Sequence, residues 1–340
     1  MWRFSCLMAC VVSLILPGLS WGNNNLIAGG GSLQSPSTYE IRNSSGGFVS
    51  SGNLATARSN HCAERLSNGN AFIAGGSINL ASWTTWEIRD TSGGFISSGN
   101  LNASRDIAFT CTLLSNGNVM IIGGLSSPGT WEIRNSSGGL VTSGMLWANR
   151  ASHTATLLSS GNVFIVGGIS SGGTWEMRDA NGAFVANGTL WASRSDHCAA
   201  ELLNNNVLII GGSNSSGTWE IRSNTGGLIS QGTLWATRQD NFTFNRLLDG
   251  NVMVIGGTAA ATSWEIRNQF GGLVSNGNNL TYPRVCHTSE VQSDTGNVLI
   301  VGSGITGSED KWELRSSAGS PISSGTLDNA RSNGHTQMEF

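Results

Sequence analysis

The sequence predicts an all-β fold, seven four-stranded sheets arranged as a β-propeller, and three periodic markers predict it. A Gly-Gly doublet closes an apolar run at Gly29-Gly30, Gly75-Gly76, Gly123-Gly124, Gly167-Gly168, Gly211-Gly212 and Gly256-Gly257, with a degraded seventh copy at Gly302-Ser303. An aromatic-Glu pair keeps the same beat, first as Tyr39-Glu40 and then as Trp-Glu from Trp86, Trp131, Trp175, Trp219, Trp264 and Trp312. So does an arginine: Arg58, Arg105, Arg150, Arg194, Arg238, Arg284 and Arg331. Successive doublets lie 44 to 48 residues apart, close to the period of a propeller blade. One such sheet is too small to bury both its faces, whereas a ring of seven covers every face and leaves only short edges.

Taken in chain order, Met1 to Gly22 stands outside the repeat. Arg3 supplies a positive start, Phe4 to Leu19 is mostly apolar, Pro17-Gly18 breaks it, and Ser20-Trp21-Gly22 offers small residues for cleavage. This is the pattern of a secretory signal peptide, short for a membrane span. Cys10 in Leu7-Met8-Ala9-Cys10 has too little apolar sequence before it for a lipoprotein box. The expected organisation is therefore a signal peptide over 1–22 and one propeller domain over 23–340. A secreted or periplasmic location is expected, with no membrane span after cleavage.

Within a unit, the first strand follows the arginine, as in His153 to Leu158, and the second is the continuous apolar run Val163 to Val166. Asn-Gly or Asp-Gly joins them at Asn68-Gly69, Asn116-Gly117 and Asp249-Gly250, dipeptides that accept the positive φ of tight hairpins. The Trp-Glu-Ile-Arg segment alternates bulky apolar and charged residues with period 2, which makes it the third strand. A weaker run such as Gly139 to Thr142 makes the fourth. Asn25 to Gly30 reads as a second strand with no first, and Arg331 to Phe340 as a first strand with no second. Joined, they complete the seventh blade from both ends of the chain.

The pattern R-x-x-H, then L-L-x-x-G-N-V-x-I-x-G-G, then W-E resembles the kelch repeat, most closely the bacterial form related to the propeller of galactose oxidase. The resemblance covers about Asn25 to Phe340. Departures are Ser303 for the second glycine, Tyr39 for tryptophan, and Ala108, Asn241 and Gly334 where histidine is expected three residues after the arginine. It implies that first strands are innermost and begin at the channel mouth. The oxidase chemistry of galactose oxidase needs tyrosine ligands to copper and a Cys-Tyr crosslink. Tyr39 and Tyr282 are the two tyrosines here, and neither carries a matching ligand motif, so no cofactor is expected.

Composition narrows the partner class. Charged residues make up 11% of the chain and the net charge is −3. Fourteen of the 18 basic residues belong to the repeat, leaving no basic patch, which argues against nucleic acid. A monomer is expected. Outside the leader, Cys62, Cys111, Cys198 and Cys286 all fall in first strands, at odd offsets from the histidine column. Shared parity points Cys62 and Cys111 away from each other, so buried thiols are expected unless a bulge shifts the parity. The repeat glutamates and arginines are expected to form ion pairs between blades.

The candidate face is the channel mouth, built from residues after each arginine and from loops between the glycine doublet and Trp-Glu. His61, His153, His197, His287 and His335 fall on it. Imidazoles that converge can bind metal, but a repeated position more simply fills a packing niche, and no metal is expected. Asn60, Asp196 and Asp240 are polar members of the same ring. Trp147, Trp191 and Trp235 lie three residues before the arginine in three successive units, where the others carry Ala55, Asn102, Thr281 and Asp328; Trp83 is a candidate fourth. Repeat duplication with packing on loop backbone is the plainer account of these indoles, and a row that stacks on sugars or anchors a protein is the other. No serine, cysteine or histidine marks a nucleophile or base. The reading is an exported scaffold for a protein or glycan through this face; the alternative is a carbohydrate-active enzyme, sugar isomerase-like, using the same pocket.

Overall fold

In the computed structural model, described over residues 24–29, 37–43, 46–76, 80–330 and 335–339, the chain forms seven four-stranded antiparallel sheets. The expected signal peptide lies outside the described residues. The Trp175 blade is typical, with strands Thr154–Leu157, Val163–Val166, Thr174–Arg178 and Phe184–Thr189 paired in that order. First strands of neighbouring blades approach one another all the way round, so they line the axis and fourth strands form the outer wall.

Ring closure follows the division of the repeat between the chain ends. The strand His335–Glu339 pairs antiparallel with Asn24–Gly29, from Gly29 opposite His335 to Asn25 opposite Glu339. Thr38–Asn43 and Phe48–Asn53 complete that sheet. Six residues at one end are thus held by five at the other, without a covalent bond.

Second strands are apolar throughout because both their faces are covered. Phe164 and Val166 pack with Ala199, Val207 and Ile209 of the following blade, while Val163 and Ile165 pack with Met120, Ile122 and Trp131 of the preceding one. Each such side chain contributes about 1.5–3 kcal/mol on burial, so the core lies between blades rather than within them. The third-strand aromatic, tryptophan in six blades and Tyr39 in the closing one, seals the outer part of each interface. A Cβ on Gly226 of the next blade would collide with the Trp175 ring.

A bulge recurs where third and fourth strands meet. In the Trp131 blade, Ile133 pairs with Thr142 and Arg134 with Leu140, leaving Val141 as the extra residue; the same shift occurs in all seven blades. Leu140 and Val141 therefore both face solvent, as do Phe48-Val49, Phe95-Ile96 and their equivalents.

The cysteine expectation is overturned for Cys62 and Cys111 and holds for Cys286, a buried thiol. Cys62 and Cys111 form a disulfide across neighbouring blades, their Cα atoms 5.9 Å apart. The parity argument counted from the arginine, but the link from Arg105 to its first strand is one residue longer than that from Arg58. Strand register shows the true alignment: Cys62 pairs with Ala74, whose counterpart Ile122 pairs with Thr110, so Cys111 lies one position further on. The two side chains then point to opposite faces of their blades and meet.

Candidate ligand-binding face

The repeat arginine anchors the start of each blade. Fully buried Arg194 donates from Nη1 to the carbonyl oxygens of Gly211 (2.7 Å) and Thr218 (3.1 Å), tying the first strand's approach to the ends of the second and third strands. Arg58, Arg105, Arg150, Arg238 and Arg284 bond the equivalent glycine carbonyl at 2.6–2.7 Å. After each arginine the backbone turns through positive φ at Asn60 (52°), Ala108 (63°), Ser152 (54°), Asp196 (55°), Asn241 (59°) and Cys286 (55°). That turn aims N–H groups at the neighbouring blade. Ser152 N–H donates to Ala108 O, Asp196 N–H to Ser152 O and Cys286 N–H to Asn241 O. The channel mouth is laced together by backbone.

The histidine column continues as phenylalanine, which corrects the substitutions read from the sequence. The residue after each positive-φ position is His61, Phe109, His153, His197, Phe242 or His287, and Ala108 and Asn241 are the turns before it. These rings sit on the first glycine of the preceding doublet. A Cβ on Gly167, where φ is +62°, would lie 2.5 Å from Arg194 O and 2.8 Å from His197 Cε1; on Gly211 it would lie 3.0 Å from Phe242 Cζ. Nε2 of His153, His197 and His287 pairs with Oγ1 of Thr110, Thr154 and Thr243 of the blade before, at 3.0, 2.9 and 2.8 Å. All four described imidazoles are buried. Burial, then the Arg150 and Arg105 charges, push His153 down to about 3; His197 is held well below its ordinary value by burial and by Arg194, His153 and Arg150. His153 and His197 are thus neutral, and all four imidazoles are packing groups between blades, withdrawn from the face. His335 stands in the closing strand opposite Gly29; its side chain lies outside the described residues.

The glutamate of each Trp-Glu pair has a different role from the one expected. Buried Glu220 meets Arg222 Nη2 at 2.9 Å and Arg194 Nε at 3.3 Å, both in its own blade, so these ion pairs are within blades. What crosses the interface is a hydrogen bond from the connection entering the blade: Trp191 N–H donates to Glu220 Oε2 at 3.1 Å. The same seat holds the N–H of Ala55, Asn102, Trp147, Trp235 and Thr281 against Glu87, Glu132, Glu176, Glu265 and Glu313 at 2.8–3.1 Å. Arg178 and Arg267 add bonds to Met145 O and Thr233 O on the preceding outer strand.

This seat presents three of the sequence-selected tryptophans to solvent. Trp147, Trp191 and Trp235 are 54%, 45% and 42% exposed, whereas the six third-strand tryptophans are 6–9% exposed. Packing against loop backbone, the plainer account, therefore leaves about half of each residue's surface uncovered. Trp83 has a different position. It ends a single helical turn, Leu80–Trp83, in the loop before Trp86, is half-buried, and accepts the Arg105 N–H on its carbonyl at 2.7 Å.

The polar candidates bind their own loops. Ser213 Oγ donates to Asp196 at 3.1 Å and Thr258 Oγ1 donates to Asp240. Burial raises the Asp196 carboxyl pKa above its ordinary value, with the Asp240 charge adding, against hydrogen bonds from three serines. Asn60 supplies the positive-φ turn of its blade. The sequence reading missed a pair inside the channel. Glu64 and Glu290 occupy the same level of their first strands, opposite Phe72 and Leu299. Burial, then the Glu290 charge, push Glu64 up to about 8, against a hydrogen bond from Leu113 N–H. Their signal was a break in the column, where other blades carry Thr112, Thr156, Ala200 and Asn245.

The tyrosines do not fit a copper site. Tyr39 is buried in the closing blade at the blade tryptophan's position, and Tyr282 lies against the Arg284 guanidinium, 5.4 Å from ring centroid to Cζ. Among the described residues no three His, Cys, Asp or Glu side chains converge as metal ligands.

No protein-family profile matches the sequence, and no curated protein matches it. Solved structures do. A fungal alcohol oxidase of the AA5 family, in complex with copper, aligns at TM-score 0.60 with 17% identity, over 81% of this chain and 66% of that one. A streptogramin B lyase aligns at TM-score 0.58 with 13% identity, over 81% of this chain and 86% of that one. At these identities the likeness is one of fold: a seven-bladed propeller.

Proposed function

We propose that this chain is an exported binding scaffold that takes a protein or glycan ligand on its channel-mouth face. The observation that carries the reading is the unequal fate of its tryptophans. Six are buried as blade packing, while three in successive blades stand about half exposed on one sector of one face. Exposed indoles lose apolar area to water unless a ligand covers them. Export rests on the pattern of Met1 to Gly22. The test is a glycan array and a direct binding titration with the wild type and Trp191→Ala. Because that seat is held by a backbone N–H, the variant keeps its melting temperature and loses binding; binding unchanged by the substitution sinks the reading.

One observation favours a second reading, a carbohydrate-active enzyme. Glu64 is pushed up to about 8 by burial and then by the charge of Glu290, at the same level two blades away, and two such carboxyls can divide general-acid and general-base work. Product analysis of any bound sugar separates the two. Turnover abolished by Glu64→Gln establishes the enzyme; binding without turnover removes it.

A further inference from the structure

We infer that the three exposed indoles act as one evenly spaced array that reads a linear, uncharged polysaccharide lying along the rim. The inference rests on the scaffold reading above and names its ligand class. The seats are equivalent: Trp147, Trp191 and Trp235 are fixed by the same backbone hydrogen bond to Glu176, Glu220 and Glu265. Each indole is therefore related to the next by one blade step. Facing sheets stack about 10 Å apart, and blades diverge from the axis, so successive indoles stand at least about that far apart along an arc.

What lies beside each indole repeats as well. Ala148-Asn149, Ala192-Ser193 and Ala236-Thr237 follow in the chain, and Asn149, Ser193 and Thr237 are exposed. Each step thus offers one aromatic face and one short neutral hydrogen-bonding group, while the arginine that comes next is buried. A globular protein partner is gripped by clustered anchors near the centre of its interface, within an energetically quiet rim. Three separated, alike stations, each flanked by a short neutral polar side chain and with Asp196 and Asp240 tied to Ser213 and Thr258 of their own loops, suit a ligand that is itself periodic and neutral. Sugar rings in a chain present apolar faces for indole stacking and hydroxyls for the short polar side chains.

An array has a signature that a single site lacks. Once a ligand reaches a second station, the second contact forms at high effective concentration, and affinity rises by about 10²-fold or more without any new kind of contact. The full chain is titrated calorimetrically with β-1,4-glucan, β-1,4-xylan and chitin fragments of increasing length. In one of these series affinity is expected to climb by that factor at the length spanning two indoles. Trp191→Ala, which removes the middle station, should erase the climb and leave the weak short-fragment affinity, with the melting temperature unchanged. A flat length profile that still depends on Trp191 overturns the array while leaving the face reading intact. Binding indifferent to all three tryptophans overturns both. Absence of binding across the panel, with a protein ligand lost on Trp191→Ala instead, overturns the polysaccharide and retains the face.

Discussion

Replacing His153 by phenylalanine tests the interchange of histidine and phenylalanine between blades. Phe109 and Phe242 already occupy this niche in two blades, so the ring fits without rearrangement. At neutral pH the substitution removes the 3.0 Å bond to Thr110 Oγ1, worth about 1 kcal/mol net, partly offset by a less polar buried ring. In acid the sign reverses. The folded chain holds His153 at about 3, against 6.5 ordinarily. Below about pH 6.5 the unfolded chain takes up a proton that the folded chain refuses, so this stability is complete above 6.5 and is lost as pH falls toward 3. At pH 4 the lost stability is on the order of 3 kcal/mol, from about 1.4 kcal/mol per pH unit. Phenylalanine has no proton to take up. Denaturant unfolding of both proteins at pH 7 and pH 4 should show His153→Phe slightly less stable at pH 7 and more stable than wild type at pH 4. Parallel pH dependence of the two proteins, or a loss above about 3 kcal/mol at pH 7, would refute the packing role assigned to this column.

Three other perturbations probe the frame. Gly167→Ala forces a side chain into positive φ against Arg194 O and His197 and should cost roughly 2–4 kcal/mol, whereas Gly173→Ala, with nothing within 4 Å, should leave the unfolding midpoint unchanged. The Cys62–Cys111 crosslink spans 49 residues and should contribute about 4 kcal/mol on the chain-entropy account; without reductant, Cys62→Ser and Cys111→Ser should each unfold at lower denaturant than the wild type, and the double variant no earlier than either. Arg194→Met strips Glu220 of one buried partner and should destabilise by about 3–5 kcal/mol, with Arg194→Met/Glu220→Leu recovering part of that loss in chemical denaturation.

The blade count and the divided closing blade were legible because glycine, tryptophan and arginine each have a reason to recur once per sheet. What the sequence hid came from an insertion of one residue. The links after Arg105 and Arg238 are longer than those after Arg150 and Arg194, so a column counted from the arginine lands on Ala108 and Asn241 instead of Phe109 and Phe242. The same slip turned Cys111 the wrong way and concealed the disulfide. The glutamate's bond to the entering connection was invisible for another reason: it engages a backbone N–H, which any residue supplies. That indifference is also why the seat tolerates alanine, asparagine, threonine or tryptophan, and why spacing alone did not decide whether the indoles were covered.

The bulge in each outer strand has a bearing on solubility. A sheet margin bearing pairs such as Leu140-Val141 is ordinarily a template on which another molecule's strand can grow. The extra residue twists that margin and interrupts the regular ladder of donors and acceptors after its first rung. An intruding strand is left with a short, mismatched stretch to grip. Sevenfold repetition multiplies the hazard around the circumference, and the same repetition distributes the safeguard.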